Sequence, residues 1–214
     1  MNAPLLLALD TSTSTASVGL FDGERVLSET TWLAGREHST RLLMEAEIAF
    51  ERTGYRVEDL TGLVVARGPG SFTGVRVALS VAKGMAAALQ IPVWGVSSLD
   101  VLALAAVVAD LPVRAVLEAG RGRYAMALYS REQQISPPTL ATAEQLMRSL
   151  TEPTIVVGEL TAEARAELTR NAHARLAPTS AMARRAGYLA ELGWRRAQAG
   201  DPGDPALLDA FYVS

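Results

Sequence analysis

The chain contains no cysteine and only two histidines, His38 and His173, among 214 residues. The first absence excludes disulfides, thiolate metal sites and cysteine nucleophiles, and it suits the cytosol. The second leaves no His-x-x-x-His pair, so a helix-borne metal site lacks its usual ligands. No glycine stands at P-loop distance from a Gly-Lys-Ser or Gly-Lys-Thr, and Lys83 falls deep inside a helical pattern. The uncharged run 84–99 holds Gln90, Pro92 and two serines, which argues against a membrane span. The first residues lack a basic region, and their apolar run reaches Asp10 too soon for a signal peptide. A formal charge of −3 gives no global pull towards nucleic acid or acidic membranes. What is present is core material: 49% of residues are hydrophobic and 20% charged. A cytoplasmic protein without a membrane partner is the expectation.

The order of elements is informative. Residues 5–9 form an apolar run ending at Asp10, residues 16–21 alternate, and Asp22-Gly23 marks a hairpin into a third strand near 25–32. A helical period follows over 39–52, then a strand at 63–66, a glycine-rich bend, a long helix and a short strand at 91–94. A further helix over 98–109 bridges to a second unit. That unit opens with a strand at 115–118 ending in Glu118. Strands follow at 124–129 and 133–136, then a helix with the Thr142/Gln145 capping box, a strand at 154–158 and a helix from 161 to 170. A last helix is expected from residue 180 to 199. Both halves read βββαβα. The predicted class is therefore α/β, a duplicated, two-lobed actin-like (RNase H-like, ASKHA) fold. The lobes are expected at 1–108 and 109–214, with the last segment returning to the first lobe.

The chain is organised around Ala66-Arg67-Gly68-Pro69-Gly70-Ser71-Phe72-Thr73-Gly74-Val75-Arg76. Glycine permits positive φ and proline fixes φ, so this is a bend between a buried strand and a helix. The open N–H groups at such a helix start suit an anion or a partner. Beyond the bend, Gly74, Ala78, Ala82 and Ala86 form a row of small side chains, with Arg76, Ser80 and Lys83 as a narrow polar stripe. Dense packing on its own sheet is one reading of that row, and close approach of a partner is the other.

Other candidates have ordinary alternatives. Asp10, Thr11 and Ser12 suit a phosphate-contacting hairpin, or a tight turn satisfied by its own hydroxyls. Glu118 suits a metal-directed acid, or a partner for Arg121 and Arg123. Ser71 lacks the Gly-x-Ser-x-Gly setting of a hydrolase nucleophile. Arg184, Arg185, Arg195 and Arg196 line one side of the last helix, where they would meet RNA phosphates or stand as a solvated face.

The core Gly-Pro-Gly-Ser-Phe-Thr-Gly-Val-Arg resembles the signature of the bacterial TsaB family, also called YeaZ. Leu9-Asp10-Thr11-Ser12, Arg36-Glu37-His38-Ser39 and Gly95-Val96-Ser97-Ser98-Leu99 match in order and spacing, and the resemblance covers residues 5–108. It implies an actin-like fold and a part in making threonylcarbamoyladenosine beside the tRNA anticodon. In that family the chain is the non-catalytic partner of the transferase TsaD, which carries the metal, and the small ATPase TsaE joins the pair. The resemblance thus implies a heterodimer with a TsaD-like chain, a homodimer when alone, and tRNA reached through the complex. No tightly bound cofactor is expected, with ATP or ADP only at the interface with the partner.

The family's dimer contact uses the first two helices. That places the expected interface at His38, Leu42, Glu45, Gly68, Pro69, Gly70, Ser71, Phe72, Thr73, Gly74, Arg76, Ala78, Ser80, Ala82 and Lys83. No catalytic or metal residue is expected, and Asp10, Thr11, Ser12 and Glu118 are weak nucleotide candidates. Two departures stand out: Glu118-Ala119-Gly120 replaces the family's Asp-Ala-Arg, and Tyr212-Val213-Ser214 replaces its Pro-x-Tyr-Leu-Arg ending. The competing enzyme reading is an independent actin-like ATPase or kinase, with Asp10 and Glu118 directing a metal.

Overall fold

Five apolar or alternating runs in the first hundred residues pair into one mixed sheet. In the computed structural model, which describes residues 3–34, 38–106 and 110–213 with the side chains of 38 and 39 excepted, these are β1 (Leu6–Asp10), β2 (Thr15–Phe21), β3 (Val26–Leu33), β4 (Gly62–Ala66) and β5 (Val93–Val96). Their order is β3-β2-β1-β4-β5. The hairpin partners are antiparallel, and β1/β4 and β4/β5 are parallel. At the first hairpin Gly23 has φ +92°, and Asp22 Oδ1 accepts from the amides of Glu24 and Arg25. Helices α1 (His38–Thr53) and α2 (Phe72–Leu89) cover one face, packing Leu42, Ala46, Phe50, Val75, Ala78 and Ala82 against Leu7, Leu9, Val18 and Val65.

The second unit comprises Ser98–Ala183 and Tyr212–Ser214. It begins with α3 (Ser98–Ala106), then β6 (Val113–Glu118), β7 (Arg123–Ser130), β8 (Gln133–Gln134) and β9 (Thr139–Thr142). Next come α4 (Ala143–Arg148), β10 (Thr154–Gly158), α5 (Ala162–Arg170) and β11 (Ala174–Leu176). The strand order β11-β10-β6-β7-β8, with β9 also on β7, repeats the first sheet in sense as well as sequence. Again the hairpin partners are antiparallel, and β6/β10 and β10/β11 are parallel. Both units thus carry the actin-like order, as the run of elements predicted. The Thr142/Gln145 capping box closes as read, with the Gln145 amide 3.2 Å from Thr142 Oγ1 and the Thr142 amide 2.8 Å from Gln145 Oε1.

Residues Arg184–Phe211 belong to the first unit with Met1–Ser97. The boundary lies ahead of α3 rather than at residue 108, because α3 packs Leu99, Leu102, Ala103 and Ala106 into the core beneath β6 and β7. Residues 107–109, the expected end of that helix, lie outside the described residues, as do Arg36 and Glu37. The last helix, α6 (Ala186–Gln198), starts later than the periodicity suggested. A single 3-10 turn at Thr179–Ala181 replaces its expected first turns, and Arg185 is extended at φ −104°, ψ 139°. Glu29 on β3 supplies the missing cap: its carboxylate accepts from the Gly187 amide at 2.7 Å and from Arg185 Nε at 2.6 Å. The helix then crosses the sheet on the face opposite α1 and α2. A Cβ on Gly193 would run into Val64 there. Strands β9 and β11 were not anticipated, since neither run is long or apolar enough to stand out.

The row Gly74, Ala78, Ala82 and Ala86 on α2 is buried against its own sheet, and so is Leu42 on α1. Small side chains there let α2 sit close to β1 and β4, so these residues of the expected interface do not face outward. By length and composition α2 could cross a membrane, but this buried side identifies it as the core helix of the sheet. Ala78→Leu would therefore overpack the core and lower stability by about 1–3 kcal/mol. A falling urea midpoint with unchanged slope checks this, and an unaltered midpoint contradicts it.

Candidate functional site

The turn after β1 carries the acid that the actin-like fold aims at phosphates. Asp10 is 1% exposed. Its Oδ1 accepts from the Ser12 amide at 2.7 Å and the Ser12 hydroxyl at 2.6 Å. Its Oδ2 accepts from Arg184 Nε at 2.9 Å, and the arginine is also 1% exposed. Arg184 Nη2 donates to Thr13 Oγ1 at 2.6 Å and to the Thr15 carbonyl at 3.0 Å. A charge-assisted network of this kind stabilises only when both ions stay paired.

The glycine-rich bend closes on the same turn. The Ser71 amide donates to the Ser12 carbonyl at 2.6 Å, and the Thr11 hydroxyl donates to the Gly74 carbonyl at 2.7 Å. A Cβ on Gly70 would strike the Ser12 carbonyl, and one on Gly74 would strike that of Thr11. Those glycines are there for backbone-to-backbone approach. Gly68 has φ +100°, the Gly68–Pro69 bond is cis, and both residues are buried. Ser71 is the N-cap of α2, its hydroxyl accepting from the Gly74 amide at 3.2 Å. The bend thus fixes α2 against β1.

What α2 shows to solvent is a different strip. Phe72 is 56% exposed, with the Arg76 guanidinium 3.6 Å from its ring centroid. Phe72, Thr73, Arg76, Val77, Ser80 and Val81 line a shallow pocket of about 440 Å³. Farther along, Ser80, Gly84, Ala87 and Ala88 are exposed, and a Cβ on Gly84 would meet nothing within 4 Å. On α1, Leu43 and Met44 are 51% and 55% exposed, and Glu45 pairs with Arg41 at 3.3 Å. Lys83 stands 3.9 Å from Asp209. The His38 side chain lies outside the described residues.

Of the expected interface, Ser71, Phe72, Thr73, Arg76 and Ser80 face solvent, Glu45, Gly70 and Lys83 are half-buried, and Gly68, Pro69, Gly74, Ala78, Ala82 and Leu42 are buried. Periodicity marks the outer row Ser80, Gly84 and Ala88 as readily as the inner one, since both recur every four residues, and only the position of the sheet tells them apart.

The remaining candidates do not converge. Glu118 ends β6 exposed, and among the described residues no ion pair joins it to Arg121 or Arg123. Each of the four late arginines is engaged: Arg184 with Asp10, Arg185 with Glu29, Arg195 with Glu191 and Arg196 with Asp201. Arg184 and Arg185 precede α6 altogether, which corrects the reading of an arginine face along one helix. Arg114 on β6 is buried with its Nη2 donating to the Ser149 carbonyl at 3.5 Å and its Nε unpartnered among the described residues; desolvation holds its pKa below the usual guanidinium value. No cluster of His, Asp or Glu suited to a metal occurs among the described residues.

A family model described as TsaD, tRNA N6-adenosine threonylcarbamoyltransferase, matches residues 32–151. The tRNA threonylcarbamoyladenosine biosynthesis protein TsaB of Bacillus subtilis is 31% identical over 160 residues, 72% of this chain and 70% of that protein. The Escherichia coli protein of the same name is 35% identical over 60% of this chain and 56% of its own length. For that of Haemophilus influenzae the figures are 42% identity over 47% and 42%. The chain therefore spans about half the length of the last two relatives. Among solved structures, YeaZ from Pseudomonas aeruginosa has a TM-score of 0.80 at 25% identity, covering 98% of this chain and all of that one. A second structure, of an uncharacterized protein with similarity to peptidase YEAZ, has a TM-score of 0.82 at 25% identity over 99% of this chain.

The two arginine pairs should separate cleanly in denaturation. Arg184→Met leaves Asp10 buried and uncompensated, a loss of about 3–5 kcal/mol. Arg185→Ala breaks a half-exposed pair and should cost about 1 kcal/mol or less. Guanidinium unfolding of both variants checks the contrast, and equal losses contradict it.

Proposed function

We propose that this chain, which belongs to the TsaB (YeaZ) family, is the non-catalytic subunit of a complex that makes threonylcarbamoyladenosine in tRNA. Its role in that biosynthesis follows from the relatives. The scaffold reading rests chiefly on the outward strip of α2, where an exposed Phe72 with Val77 and Val81 lines a shallow, largely apolar pocket next to the exposed Leu43 and Met44 of α1. A TsaD-like transferase is the partner such a face would meet, with Leu43 and Met44 of α1 extending the contact. The match to the TsaD family over residues 32–151 supports this, since it includes both helices and suggests two related chains packing like helices together. A TsaE-like ATPase would join that pair in the cytoplasm, and tRNA would be reached through the transferase.

Catalysis would belong to the partner. Ser71 spends its hydroxyl on capping α2, and His173 is exposed in the other unit, which disfavours a hydrolase reading despite the peptidase in one neighbour's description. The kinase reading is disfavoured because Asp10 is held by Arg184.

The strip can be tested apart from the fold. Phe72→Glu replaces an exposed ring that lies against Arg76 of its own helix with an acid that suits a helix N-terminus. Gly84→Arg adds bulk where a Cβ meets nothing within 4 Å, so both should stay within about 0.5 kcal/mol of wild-type stability. Each should reduce co-purification with the TsaD-like subunit by about tenfold or more, equivalent to roughly 1.4 kcal/mol. Undiminished pairing of both variants would remove α2 from the interface.

A further inference from the structure

In the actin-like architecture the acid ending the first strand directs a divalent cation and nucleotide phosphates, and Asp10 is that acid in the first unit. The residues present do not fit those groups. A magnesium ion needs open carboxylate oxygens at about 2.1 Å and room for several waters. Here Oδ1 already accepts two bonds from Ser12, and the Arg184 guanidinium lies against Oδ2 at 2.9 Å in a corner that is 1% exposed. A phosphate needs N–H groups aimed outward. The Ser12 amide is turned inward onto Asp10, and the Ser71 amide at the start of α2 is given to the Ser12 carbonyl. Gly70 and Gly74 bring the bend against the turn from the other side, leaving no space for even a methyl group at either position.

We infer that Arg184 is a built-in cation that takes the place of metal and phosphate beside Asp10, converting a nucleotide corner into the anchor of α6. The planar guanidinium suits the task. One edge meets the carboxylate, and Nη2 reaches Thr13 Oγ1 and the Thr15 carbonyl across the turn. The following residues, Arg185 and Gly187, are tied to Glu29 on β3, so the arginine is delivered by a segment fixed at both β1 and β3. Nucleotide-independent closure of the first unit is the consequence. This inference stands whichever partner α2 meets, and its failure would leave the scaffold reading untouched.

The test uses the full chain. Manganese, as a paramagnetic substitute for magnesium, is titrated into wild type, Arg184→Lys, Arg184→Ser and the double variant Arg184→Ser/Asp10→Asn, and free ion is followed by electron paramagnetic resonance. Wild type and Arg184→Lys should hold no manganese at this corner. Arg184→Ser should gain one site at least about tenfold tighter than any in wild type, and the added Asp10→Asn should abolish it. Absence of an Asp10-dependent site in folded Arg184→Ser would overturn the inference. Should that variant not fold, the wild-type chain decides. Amide resonances of residues 10–13 that stay fixed on adding magnesium and ADP support the built-in cation, and resonances that shift on saturation overturn it.

Discussion

The buried pair between Asp10 and Arg184 joins residues 174 apart in the chain, and the first unit is assembled around it. It holds the turn after β1, and that turn receives the glycine-rich bend that sets α2. The same pair brings the end of the chain back across the sheet as α6. Two ions this far from water are costly alone and stable only together, so the contact makes strand, bend and returning helix mutually dependent. Side-chain hydroxyls of Ser12 and Thr13 complete the network.

The outward side of α2 is a surface of a different kind from that corner. Its inner row of small residues brings the helix onto the sheet, and its outer strip leaves Phe72, Arg76 and a run of small residues facing solvent. A helix that serves its own core on one side and offers a low-profile apolar strip on the other suits a protein whose work is to be packed against.

Much of this was legible in the residues. Both sheets appeared as apolar or alternating runs, because strands covered on both faces, such as β1 and β4, are apolar throughout and half-covered ones alternate. The repeated order of elements pointed to the duplicated actin-like topology. Motif residues 66–76 marked the bend correctly. The sidedness of α2 was not legible, since Gly74-Ala78-Ala82 and Ser80-Gly84-Ala88 have the same spacing and only the position of the sheet distinguishes them. Arg184 was misplaced for a related reason. Beside Arg185, and followed by Arg195 and Arg196, it looks like part of a solvated face, and no local pattern announces a carboxylate partner on the first strand. The short strands β9 and β11 were missed because they add hydrogen bonds at sheet margins with little apolar signal.

The most direct measurement is reconstitution of the tRNA modification from purified components, with and without this chain. Threonylcarbamoyladenosine would be quantified by mass spectrometry of tRNA hydrolysates under saturating substrates. A scaffold role predicts that omitting the chain lowers the rate by about tenfold or more, although every catalytic component remains. Modification at the same rate in its absence would contradict it.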